Sequence, residues 1–114
     1  MSMSASCTIT NNTGKVIVFS SITKLNDDST WGVTPPVGTK IANGGTCVVS
    51  MGNASVFPKG VGFNASFVDA SLDSGTISLD DPAVGAHHFS FNGNFTYTQT
   101  NPNGNSYGII ITTA

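Results

Sequence analysis

This chain of 114 residues has no arginine and no glutamate, and only 9% of its residues are charged, against about 25% in an average domain. Its surface must therefore be built from Asn, Ser, Thr and Gly, solvated by hydrogen bonds rather than by charge. Four lysines within a net charge of −2 leave no basic stripe to track phosphates, and arginine, the usual base reader, is missing. Nucleic acid is thus not an expected partner. The missing Glu and Arg also remove common general acids and oxyanion partners. No acid, base and nucleophile set can be assembled, so neither enzyme activity nor a cofactor is expected. No apolar run approaches the ~20 residues of a membrane-spanning helix. Two cysteines do not make a disulfide framework. The opening MSMSASCTIT has no basic region followed by an apolar core, so a secretory leader is not expected. The chain is expected to be cytosolic, mature after cleavage of something longer, or exported without a leader. A surface this poor in charge repels its copies weakly, which makes self-association an expectation.

What is present is a folding sequence: 39% hydrophobic residues and a mean hydropathy of +0.10. A chain of this length buries roughly 65% of the surface its unfolded form exposes, enough for one core. One domain over residues 1–114 is expected, with Met1 to Ser6 frayed. The apolar period is two almost everywhere. Cys7-Thr8-Ile9-Thr10 reads as a first strand, then a turn at Asn11-Asn12-Thr13-Gly14, then a β-branched and aromatic strand from Lys15 to Ile22. Thr46 to Met51, Val61 to Val68, Thr76 to Leu79, His87 to Phe91, Phe95 to Thr98 and Tyr107 to Thr113 continue the pattern. Asp80 to Gly85 reads as a turn-rich break, and Asn92-Gly93-Asn94 as a hairpin turn. Turn signals about every 8–12 residues, with no helical window, predict an all-β, antiparallel β-sandwich or barrel.

Few residues suggest chemistry. His87 and His88 point to opposite faces of a strand and cannot share one metal without a bulge. Asp27-Asp28 and Asp80-Asp81 lack the spacing of a calcium loop and read as ordinary turn residues. No metal site is expected. Cys7 and Cys47 sit in strands and are either disulfide-bonded or two buried thiols. Asn11, Asn53, Asn64 and Asn94 begin glycosylation sequons, which an Asn- and Thr-rich chain produces by chance. Trp31, with Phe57, Phe91, Phe95, Tyr97 and Tyr107, could form a sugar platform or a lipid-headgroup belt, or simply be core. Trp31, Tyr97 and Tyr107 are the expected surface aromatics of a ligand site, with Asp81 as a polar loop contact.

Several short pieces, in order, resemble the aegerolysin family of small β-sandwich proteins. They are Thr8-Ile9-Thr10-Asn11-Asn12-Thr13-Gly14-Lys15, Thr23-Lys24-Leu25 followed by Trp31, and Ile77-Ser78-Leu79 with Asp80-Asp81-Pro82-Ala83-Val84-Gly85. The bacterial branch, which supplies the small component of binary insecticidal crystal toxins, is the more similar. Trp31-Gly32, Asp81-Pro82-Ala83 and His88-Phe89 also resemble the fungal branch, but Ser90-Phe91-Asn92-Gly93-Asn94 stands where that branch has an aromatic-rich run. The resemblance implies an antiparallel β-sandwich without enzyme activity. It implies binding to membrane lipid, a sphingolipid or a sterol-containing domain, and a larger partner protein that completes a pore. The expectation is a membrane-lipid-binding cytolysin or toxin component acting at a target membrane. A carbohydrate-binding lectin is the alternative, and a storage or crystal-forming protein a third reading.

Overall fold

A computed structural model describes residues 3–82, 84, 88–99 and 106–113. Ten strands run in chain order: β1 (Met3–Asn12), β2 (Ile17–Lys24), β3 (Thr30–Trp31), β4 (Lys40–Ile41), β5 (Thr46–Asn53), β6 (Gly60–Asp69), β7 (Ser74–Pro82), β8 (His88–Gly93), β9 (Phe95–Gln99) and β10 (Ser106–Thr113). They form two five-stranded sheets, ordered β3-β5-β1-β10-β9 and β4-β2-β6-β7-β8. Pairing is antiparallel except between β1 and β10, which run parallel with Ser6 opposite Ser106. The fold is the expected β-sandwich.

Alternation explains the core. Ala5, Cys7 and Ile9 of β1 are buried and face inward with Val49 and Met51 of β5, and with Tyr107, Ile109 and Ile111 of β10. The second sheet answers with Ile17 and Phe19, Val61, Phe63, Ala65 and Phe67, and Ile77 and Leu79. Burying a side chain of this size contributes roughly 1.5–3 kcal/mol. Both five-stranded layers thus stand on alternate residues of the same strands the period predicts.

Four local expectations are corrected. Met3 to Ser6 do not fray but pair with β5, Met3 lying opposite Asn53. Asp80 and Asp81 belong to β7, which continues through Pro82, where Gly60 is its partner. The Asn92–Asn94 segment is not a hairpin, because β8 and β9 lie in different sheets. It is a corner where the chain leaves one layer for the other, with Gly93 at φ +143°. The Asn94 amide donates to the Ser74 carbonyl at 2.9 Å, and the Ser74 amide donates to Asn94 Oδ1 at 3.2 Å. Finally, Tyr107 is not a surface residue: it is 5% exposed, facing inward from β10.

Two of the sequon asparagines hold turns. Asn11 is fully buried. Its Nδ2 donates to the carbonyls of Lys15 at 2.7 Å and Ile41 at 2.8 Å, while its Oδ1 accepts from the Thr13 amide at 3.0 Å. Asn53, also buried, donates to the Gly60 carbonyl at 2.9 Å and accepts from the Ser55 amide at 3.1 Å. Cys7 and Cys47 are both free thiols. They sit on adjacent strands out of register, since Cys7 faces Val49 and Cys47 faces Ile9. Burial pushes the Cys7 thiol up to about 12.

Candidate functional site

One end of the sandwich gathers the features a ligand could use. There β1 begins, β5 ends at Asn53, β6 begins at Gly60, β7 ends at Pro82 and β10 begins at Ser106. On the outer face of the first sheet, a cleft of about 400 Å³ opens beside β3. Ser4 and Ser6 of β1, Ser50 of β5 and Ser106 of β10 contribute hydroxyls, because the inward-facing residues between them leave these positions pointing out. Thr30, Trp31 and Gly32 form the wall. The wall is laced to β5: the Gly32 amide donates to the Ser50 carbonyl, the Ser50 amide to the Val33 carbonyl and the Val33 amide to Ser50 Oγ, each at 2.8 Å. A Cβ at position 32 would lie 2.7 Å from Ser50 Oγ, so the Trp-Gly pair needs its glycine for this close approach. None of the described residues lining the cleft is charged.

The expected site residues divide. Trp31 lies at the cleft, but its ring faces inward opposite Met51, partly buried and tilted against Phe63 of the other sheet with centroids 6.2 Å apart. It is a wedge at the mouth of the core as well as a wall residue. Tyr97 is on the surface, 42% exposed, but on β9, at the far edge of the same sheet from β3. There it lies 4.8 Å from Phe91 and 5.9 Å from Phe89, ring to ring, and closes the seam between the sheets where β8 and β9 form their edges. Tyr107 and Asp81 do meet, but inside: Tyr107 Oη donates to Asp81 Oδ1 at 2.9 Å, and both residues are buried. The expectation of a surface tyrosine and a polar loop contact is corrected to a buried pair that ties β10 to β7 across the sandwich. Burial, and then the Asp81 carboxylate beside it, push the Tyr107 phenol up to about 12. Of the histidine pair, His88 is exposed on β8, and His87 lies outside the described residues.

The Asp27-Asp28 pair is occupied locally. Lys59 Nζ donates to Asp27 Oδ1 at 3.1 Å, and the Lys59 amide donates to Asp28 Oδ2 at 3.1 Å. These contacts hold both carboxyls below the usual carboxylate range. Among the described residues no group of three metal-ligating side chains comes together.

Sequence reasoning missed the serines of the cleft. Isolated Ser in an alternating strand carries no signal that four such positions from three strands will converge. It named Phe57 only within a list of aromatics. The pattern Val56-Phe57-Pro58-Lys59 inside a Gly- and Asn-flanked loop was the available clue: an apolar pair where turns are ordinarily polar.

No family model and no curated protein matches the sequence. Among solved structures, the crystal structure of RahU, an aegerolysin-family protein, in complex with a TRIS molecule is similar. The match covers 96% of this chain and 92% of that one, with a TM-score of 0.63 and 13% identity. The fold is aegerolysin-like. The likeness is one of architecture, and at this identity it carries nothing about the cleft or its serines.

Proposed function

We propose that this chain is a non-enzymatic membrane-lipid-binding protein, the recognition component of a cytolysin or toxin that works with a larger partner. The observation that carries the reading is the uncharged, hydroxyl-lined cleft at the loop end of an aegerolysin-like sandwich. Hydroxyls on an uncharged wall suit a neutral headgroup. They offer hydrogen bonds to phosphate, amide or hydroxyl oxygens without the desolvation that a charged wall would incur. The larger partner rests on the resemblance of the strand and turn sequences. The low charge of the whole surface supports approach to an interface and, equally, association between copies.

Co-sedimentation with liposomes that vary in sphingolipid and sterol tests the reading. Retention on one composition, weakened by Ser50→Val in the cleft, is the expected result. The same cleft chemistry suits a sugar, so a glycan array is the second arm. Binding to a glycan that a free sugar competes away, with no retention on any liposome, would make the protein a lectin instead.

A further inference from the structure

We infer that the β5–β6 loop is a pre-organised apolar wedge that enters the headgroup region of an electrically neutral bilayer, with Phe57 as its tip. This inference rests on the lipid-binding reading and names how the protein meets the membrane. Phe57 is 89% exposed and Val56 77% exposed, on a six-residue connection between Asn53 and Gly60. A phenylalanine held so far into water is an unusual expense for a fold that buries its other inward-facing aromatics, Phe19, Phe63 and Phe67, completely.

The loop does not merely hang open. Asn53 staples its base through the Gly60 carbonyl and the Ser55 amide. Pro58 is buried next to Phe57, and Lys59 is fixed from both its amide and its ammonium by Asp28 and Asp27. With both flanks anchored, the Val56-Phe57 pair is directed away from the core. Val84, 90% exposed, follows the end of β7 at Pro82, and Pro82 pairs with Gly60. A second apolar side chain therefore projects at the same end of the molecule. The cleft adjoins this end directly: Gly52 lines it, and the loop leaves β5 one residue later.

Charge decides the occupant. At the base of the loop Asp27, Asp28 and Lys59 are engaged with one another and Lys24 Nζ donates to the Asp27 and Ser29 carbonyls, so two lysines stand against two aspartates and no net positive charge is left there to attract anionic lipid. Separate protruding side chains do not make the contiguous complementary face that a protein partner requires. They do suit a fluid interface, which moulds itself around each of them.

The experiment uses the full chain with three vesicle types: phosphatidylcholine, phosphatidylcholine with sphingomyelin and cholesterol, and phosphatidylcholine with phosphatidylserine. Phe57→Ser should lower the partition onto the neutral vesicles about 10- to 100-fold, the loss expected for one aromatic side chain. Its melting temperature should equal that of the parent, because Phe57 is nine-tenths in water. Phe57→Trp in a Trp31→Phe background should show a blue-shifted emission on those vesicles and quenching by brominated acyl chains. Binding should not rise with phosphatidylserine or fall with salt. If the parent binds while Phe57→Ser binds equally well and Phe57→Trp shows no shift, the wedge is overturned and the lipid-binding reading survives. If the parent binds none of the vesicles, both fall.

Discussion

Tyr107 and Asp81 show what a single hydrogen bond does when both partners leave water. A phenol and a carboxyl face each other across the sandwich at 2.9 Å, buried among apolar side chains. Removing the donor leaves the carboxyl short of a hydrogen bond that water cannot replace. Tyr107→Phe should therefore cost about 1.5–3 kcal/mol in urea unfolding, the range for bonds to charged groups, and leave liposome binding unchanged. Lost binding at full stability would place Tyr107 in a ligand site after all. The Cys7 thiol and the Tyr107 phenol also make the protein sensitive to alkali. Both are held near 12 in the fold, against ordinary values of 9.0 and 10.0. Their contribution is whole below pH 9 and is lost as the pH climbs from 9 toward 12, because the unfolded chain releases protons that the folded one retains. The slope is about 1.4 kcal/mol per pH unit for each group above its unfolded value. The urea midpoint should fall between pH 9 and 10 in the parent and fall much less in Cys7→Ala over that interval. These residue-scale facts were only half legible in the sequence. Aromatic alternation showed that Tyr107 sits on a strand, but either face fits a tyrosine, and only the buried partner 26 positions away decides which.

The same limit governs whole elements. The strands were readable because a half-buried strand must alternate, and eight of them appear within a few residues of where the period puts them. Their partners were not, since period two says nothing about which edge a strand joins. The Asn-Gly signal at 92–93 is a case in point, because a positive φ serves a two-residue hairpin and an inter-sheet corner equally well. What marks the corner is crowding: a Cβ at Gly93 would run into the Ser74 carbonyl and Gly75 Cα, on backbone that cannot retreat. Strain at φ +143° and this clash together should make Gly93→Ala cost about 2–4 kcal/mol. At a turn glycine with open space around it, such as Gly44, the penalty would come from φ alone and stay near 1 kcal/mol, so thermal unfolding of Gly93→Ala beside Gly44→Ala separates crowding from φ. The two-residue strands β3 and β4 were beyond reach for another reason. Elements that short have no period, and β3 exists because Ser50 holds Gly32 and Val33 in place from the neighbouring strand.

At the scale of the molecule the two ends of the sandwich are chemically different. One carries the cleft, the wedge and Val84. The other carries the β6–β7 hairpin, where Asp69 Oδ1 accepts from the amides of Ser71 and Asp73 and Leu72 stands at φ +66°, 84% exposed. An exposed leucine at that tip warns that exposure by itself is no argument for a membrane face. What separates the two is company: Leu72 does not border the serine-lined cleft, and its hairpin is capped by a buried carboxyl rather than pinned by an ion pair. The distinction yields an orientation that can be measured. A bulky maleimide-linked polymer attached at Leu72→Cys should leave liposome binding within twofold of the parent. The same polymer at Val56→Cys should abolish it. A Cys47→Ser background keeps the label specific, since Cys7 is fully buried and its raised thiol is protonated at labelling pH. Equal loss from both positions would mean that the molecule meets the bilayer along its length, through the aromatic seam of β8 and β9, instead of through the β5–β6 end.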